Sequence, residues 1–228
     1  MSRVVTALVL LLFFGSLNVA TAQQYSDLLK DRSLSQWMLP NGNAVEKGWQ
    51  IENDGTLHLS GKGDNIVTRD EYQDFDLWFE FRIAEKGNSG IKYRVQKYGS
   101  ALLGCEYQIQ DDSAFPNLPP KHYTGSLYDI IDRSSPIFER KYASSGEFNV
   151  GRIVIQRNRI CHWMNGNLII DELDCSPRFA EAIGQSKFKN NEGFGRNVSG
   201  RLMLTDHGSE VWYRNIYIRR LSPQICTP

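Results

Sequence analysis

Apolar and polar side chains alternate with a period of two in short runs along most of this chain, and Gly, Asn, Asp and Pro separate the runs. A period of two puts alternate residues on opposite sides of a strand, so each run offers one face to a core and one to solvent. In 75–84, Leu77, Phe79, Phe81 and Ile83 share a face, and Trp78, Glu80 and Arg82 share the other. In 90–96, Ile91, Tyr93 and Val95 oppose Lys92, Arg94 and Gln96. In 105–110, Tyr107 and Ile109 oppose Glu106, Gln108 and Gln110. Further strand-like runs are 48–52, 56–59, 65–68, 125–131, 149–157, 159–165, 167–172, 200–205 and 211–220. Gln156-Arg157-Asn158-Arg159 and Asn165-Gly166-Asn167 carry tight-turn chemistry, the second with the Asn-Gly pair that hairpins favour. Short helices are expected at 25–30 and at 176–186, where Pro177 suits a first helical turn. The pattern predicts an all-β fold, a two-sheet antiparallel jelly-roll sandwich in one domain.

Residues 1–22 read as a secretory signal peptide. Arg3 supplies a positive charge, Val4 to Phe14 is apolar, and Ala20-Thr21-Ala22 is a small-x-small cleavage site. The apolar stretch is shorter than the roughly 20 residues of a membrane span. The expectation is therefore a secreted or periplasmic domain, 23–228, without membrane insertion. Lys and Arg number 26, as do Asp and Glu. No basic field exists to favour nucleic acid or an anionic membrane as partner. Cys105, Cys161, Cys175 and Cys226 form no C-x-x-C pair, which argues against zinc or thioredoxin-like chemistry. Export permits disulfides, while Cys105 and Cys161, inside strand-like runs, equally suit free buried thiols.

If the strands at 75–84, 90–96 and 105–110 are neighbours, Trp78, Glu80, Arg82, Lys92, Arg94, Glu106 and Gln108 form one patch. Exposed sheet faces are ordinarily polar. This one adds an aromatic ring to paired charges and amides. Rings pack on sugar C–H surfaces while charges and amides bond hydroxyls. A concave sheet so lined suits a small carbohydrate or glycoside substrate.

Several segments, taken in order, carry a more specific signal: Asn88-Ser-Gly-Ile-Lys-Tyr-Arg-Val95, Gly104-Cys-Glu-Tyr-Gln-Ile-Gln-Asp-Asp112, Thr124-Gly-Ser-Leu-Tyr-Asp129, His162-Trp-Met-Asn-Gly166, Ser186-Lys-Phe-Lys189, Gly193-Phe-Gly195, Leu204-Thr-Asp-His-Gly208 and Val211-Trp-Tyr-Arg-Asn-Ile216. In this order they resemble the 3-keto-disaccharide hydrolase domain family, from about Tyr25 to Leu221. The resemblance implies a concanavalin-A-like jelly roll, bacterial export and cleavage of glycosides oxidised at C3. Cleavage would proceed by hydrolysis, or by elimination across C1–C2 followed by hydration. One departure is visible: the family pattern "LQDHG" has Thr205 in place of its glutamine here.

A C3 ketone acidifies the C2 proton. Such chemistry needs a base near C2, an electrophile at the C3 oxygen and an acid at the leaving group. Glu106 and His207 are the base and acid candidates, in either order. Lys92, Arg94 or a bound divalent cation are candidates to stabilise the enolate. Gln108 and Asp111 would orient hydroxyls, Tyr128 would donate to an oxygen, and Glu80 and Trp212 would bind the sugar. Plainer readings stand beside these. Glu80 with Arg82, and Glu106 with Lys92, suit cross-strand ion pairs. His207 suits a turn, Asp112 a strand end, Trp163 a hairpin, Trp212 the core and His122 a surface loop. Two further functions compete with keto-glycoside cleavage: a glycosidase with paired carboxylates such as Glu80 and Glu106, and a non-catalytic carbohydrate-binding module.

Overall fold

The computed structural model describes residues 24–133 and 146–222. The signal peptide expected at 1–22, and Cys226, lie outside the described residues. Two antiparallel sheets face each other. The larger has eight strands: β1 (Ser26–Asp27), β3 (Trp49–Ile51), β4 (Leu57–Leu59), β6 (Phe75–Ile83), β9 (Asn149–Gln156), β10 (Arg159–Met164), β11 (Asn167–Leu173) and β13 (Val211–Arg220). Its path is β11-β10-β9-β6-β13-β4-β3, with β1 also paired to β13. The smaller has five, in the order β2 (Trp37–Met38), β5 (Ile66–Thr68), β12 (Arg201–Leu204), β7 (Asn88–Tyr98) and β8 (Ala101–Gln110).

The alternation in sequence builds the core. Leu77, Phe79, Phe81, Ile153 and Ile155 of the larger sheet meet Ile91, Tyr93, Tyr107 and Ile109 of the smaller. The Phe79 and Tyr107 rings pack edge to face at 5.2 Å, a favoured aromatic geometry. One histidine belongs to this interior. His162 is fully buried, with one ring nitrogen 3.0 Å from the Tyr93 hydroxyl and the other 2.9 Å from the Gly125 carbonyl. Burial pushes its pKa down to about 4.

Both tight turns form. Asn165 and Gly166 take positive φ between β10 and β11, and Arg157 does so between β9 and β10. The helix α1 (Pro177–Gly184) begins at Pro177, and the Ser176 hydroxyl oxygen accepts the Phe179 N–H as its cap. Two expected elements differ. Residues 25–30 hold β1, and a 3₁₀ turn follows at Lys30–Arg32, in place of a helix. Segment 125–131 is a folded-back loop with isolated bridges at Leu127, rather than a strand. It runs beside β8 through Tyr128 N–H to Glu106 O and Gly125 N–H to Gln108 O. Among the described residues, Cys105, Cys161 and Cys175 are free thiols, and no helix is long and apolar enough to cross a membrane.

Two features relocate residues expected on one patch. β6 pairs with β9 and β13, so it lies in the sheet opposite β7 and β8. In β7 the register shifts between Tyr93 and Gln96, and Arg94 takes a positive φ of 49°. This bulge reverses the parity of the strand. Val95 therefore joins Val67 and Met203 in a small apolar cluster outside the main core.

Candidate active site

The outward side of β7 and β8 concentrates buried polar groups. Lys92 and Glu106 are direct cross-strand partners, as are Gly90 with Gln108 and Asn88 with Gln110. The Lys92 ammonium is 3.9 Å from Glu106 Oε2. Glu106 is 3 % exposed, and its Oε1 has no hydrogen-bond partner. Burial pushes its pKa above the usual carboxylate range, against the pull of Lys92, Lys187 and the Thr205 hydroxyl. A buried carboxylate with a free oxygen and a raised pKa is poised to take a proton.

Gly90 makes room for that carboxylate. A Cβ at position 90 would lie 2.3 Å from Glu106 Oε1. The Gly90 carbonyl is held by the backbone N–H of Thr205, which closes β12 against β7. Below, an amide chain continues the floor: Gln108 Nε2 donates to Asn88 Oδ1 at 3.0 Å and to Gln110 Oε1 at 2.9 Å. The buried Gln110 Nε2 has no partner.

Three loops bring further groups to the rim. The loop after β8 supplies Tyr128, whose phenol pKa is raised by burial and then by Glu106 and Asp129. Asp129, at φ 61°, gathers His122 Nε2 and Lys121 Nζ, both at 2.8 Å, and the Lys187 backbone N–H at 2.7 Å. Burial opposes ionisation of Asp129, yet these donors hold its pKa below the ordinary value. The loop after α1 supplies Lys187, whose ammonium lies 4.2 Å from the Tyr128 ring centroid. Burial lowers its pKa and Lys92 acts in the same direction, while Glu106 pulls it back up. The loop after β12 supplies His207, exposed at the rim. Desolvation and the charges of Lys92 and Lys187 lower its pKa.

Glu106, Lys92, Gln108, Tyr128 and His207 therefore surround one region. Lys187 joins them. It stands in the Ser186–Lys189 segment, whose only sequence signal is that motif. Thr205, the departure from the family pattern, sits against Glu106. The structure does not bring four other candidates there. Glu80 lies on the outward side of the larger sheet, bonded to Arg214 at 2.7 Å and Asn215 at 2.6 Å. It cannot form a carboxylate pair with Glu106 across the sandwich. Trp212 lies on that same side, stacked on His58 at 4.5 Å with the Arg82 guanidinium 4.1 Å away. Arg94, redirected by the bulge, bonds Asp74, Asp174 and the carbonyls of Gln73 and Arg157. Asp111 accepts the Lys86 N–H at 2.9 Å and the Ser113 hydroxyl at 2.5 Å, anchoring the loop after β8. Among the described residues, no three His, Cys, Asp or Glu side chains are grouped to hold a metal ion. Asp112, expected at a strand end, instead opens a 3₁₀ turn two residues past β8 and anchors that loop, accepting from Thr124 N–H and Arg133.

The chain is similar to proteins already known. A 3-keto-disaccharide hydrolase from Bacteroides thetaiotaomicron is 26% identical over 236 residues, 88% of this chain and 79% of that protein. A solved structure from Parabacteroides distasonis, provisionally assigned as a glycosyl hydrolase, matches with a TM-score of 0.78 at 28% identity, over 87% of this chain and 94% of that one. A second from the same species, at 24% identity and a TM-score of 0.68, covers 87% of this chain and 100% of its own and supports the fold. The family model described as "3-keto-alpha-glucoside-1,2-lyase-like domain" matches residues 24–219, and the chain belongs to that family.

Proposed function

We propose that this chain is a secreted or periplasmic enzyme that cleaves 3-keto-glycosides, with Glu106 as the base. Membership of its family makes it a glycoside hydrolase-like, carbohydrate-active enzyme. The observation that carries the finer reading is the buried Glu106 carboxylate, one oxygen unpartnered, beside two lysines. A module that only bound sugar would gain nothing from burying such a group, because desolvating an unmatched carboxylate costs stability. The export reading rests on the signal-peptide pattern of residues 1–22.

In this mechanism Glu106 takes the C2 proton of a sugar with a C3 ketone. The C–H electron pair becomes the enolate, whose negative charge develops on the C3 oxygen. Lys92 and Lys187 provide cations for that oxygen, where fixed charge is most effective. The enolate reforms the ketone and expels the C1 substituent. His207 or Tyr128, on the rim, protonates the departing oxygen. The products are the free alcohol and a sugar unsaturated between C1 and C2. Water added across that bond completes net hydrolysis.

The test is to incubate the purified protein with a 3-keto-glucoside and with the unoxidised glucoside in deuterated water. Alcohol release from the keto form alone, with deuterium at C2 of the recovered sugar, supports the reading. Release from the unoxidised glucoside, or release from the keto form with C2–H fully retained, overturns it.

A further inference from the structure

The outward side of the larger sheet, across the sandwich from Glu106, carries a row of side chains that the chemistry above does not use. Leu168 of β11 pairs with Trp163 of β10, Trp163 with Arg152 of β9, Arg152 with Trp78 of β6, and Trp78 with Tyr217 of β13. The five residues thus lie in one line at right angles to the strands. Four inter-strand steps of about 4.8 Å make that line roughly 19 Å long. The Arg152 guanidinium sits between the two indoles, 4.8 Å from the Trp78 centroid and 4.9 Å from that of Trp163. Trp78, Tyr217 and Leu168 are 38 %, 39 % and 43 % exposed. Large apolar groups are normally scattered singly on a surface, and a contiguous row marks an interaction site.

Hydrogen-bonding groups flank the row. A bulge in β13 gives Asn215 a positive φ of 51° and turns its amide to Glu80. On the other side, the Tyr25 hydroxyl accepts from Trp78 Nε1 at 3.1 Å. An open pocket of about 810 Å³ is lined by Tyr25, Trp78, Glu80, Val150, Asn215 and Tyr217. The charge balance selects among ligands. Arg152 and Arg219 both bond Asp76, at 2.8 and 2.7 Å, and Arg214 bonds Glu80. Each of these three arginines is held by a carboxylate, the three sharing two acids. A phosphate backbone would have to compete with Asp76 and Glu80 for these guanidiniums, whereas stacking on aromatic faces and bonding to amide and carboxylate suit uncharged sugar rings.

We propose that this row is a second carbohydrate site, a platform that holds a neutral oligosaccharide or polysaccharide chain away from the cleavage site. It goes beyond the cleavage reaction and does not depend on it. The platform would keep the protein on glycan-rich material while the opposite sheet processes small oxidised glycosides.

The experiment is affinity electrophoresis of the full mature chain through gels containing amylose, dextran, mixed-linkage β-glucan, xylan or mannan, with single-stranded DNA titrated separately. At least one neutral polysaccharide should retard the wild type. Trp78→Ala should weaken that association at least tenfold, and so should Tyr217→Thr, a milder change at an exposed strand position. Glu106→Gln should be retarded like the wild type, and turnover of a small 3-keto-glucoside should be unchanged in Trp78→Ala. The proposal is overturned if no polysaccharide retards the wild type, if both platform variants bind as the wild type does, if Glu106→Gln alone abolishes binding, or if DNA is bound in preference.

Discussion

The space that a side chain at position 90 would fill is occupied by the carboxylate of Glu106, 2.3 Å from where a Cβ would stand. Gly90 has no positive φ to require glycine. Its role is to leave room for the acid on the neighbouring strand. Gly90→Ala should turn the carboxylate away from its present position while leaving the ladder between β7 and β8 intact. Activity on a 3-keto-glucoside should fall on the order of 100-fold, the scale of a misplaced catalytic group, with an unchanged far-UV circular dichroism spectrum. Full activity in this variant would show that the carboxylate position does not matter.

Glu106 should trade stability for activity. Its pKa is raised in the folded protein. Its favourable contribution is therefore complete below the unfolded value near 4.5 and is lost as pH rises through the folded one. Glu106→Gln keeps the shape and removes the charge. The melting temperature at neutral pH should rise, and the advantage should shrink as pH falls toward 4.5. Turnover should drop by about 10²–10⁴-fold. A lower melting temperature at pH 7 would mean that Lys92 and Lys187 stabilise the charge more than burial penalises it.

His162 should set acid sensitivity. Its folded pKa is about 4, against an ordinary 6.5. The unfolded chain binds the proton first, so stability is intact above 6.5 and declines as pH falls toward 4. The shift corresponds to about 3 kcal/mol at most. His162→Gln, which stays neutral, should flatten that part of a stability–pH curve measured by urea unfolding. Equal slopes in the two proteins would exclude this source.

Arg94 should matter to the fold and not to turnover. Its guanidinium is 3.4 Å from Asp74 and 3.3 Å from Asp174, with all three groups largely buried. Arg94→Ala leaves those carboxylates without their cation, a loss of about 3–5 kcal/mol for a buried pair. At a temperature where the variant is folded, kcat and KM should match the wild type. A selective fall in kcat would return Arg94 to the site.

Residue parity disclosed the core and half of the site. Within β8, the alternation of Tyr107 and Ile109 with Glu106, Gln108 and Gln110 is what the chain forms. It could not disclose which strands are neighbours. Trp78 and Glu80 have the right parity but stand in the opposite sheet, because β6 pairs with β9 and β13. Nor could it disclose a bulge, which needs no special residue type and removed Arg94 from the patch. Lys187 sits in a loop without periodicity, and Asp129 in a segment whose strand-like pattern folds back as a loop. Their placement follows from a tertiary contact, the Lys187 N–H to the Asp129 carboxylate.

The bulge in β7 acts as a phase shifter within a single strand. Before it, the outward side bears Lys92; after it, the same side bears Val95, and Arg94 has become a strut toward the other sheet. One continuous segment thus belongs to two independent design problems. Deleting a single residue at the bulge would restore strict alternation and keep the far half on its present sides, but it would remove the left-handed position from which Arg94 reaches Asp74 and Asp174.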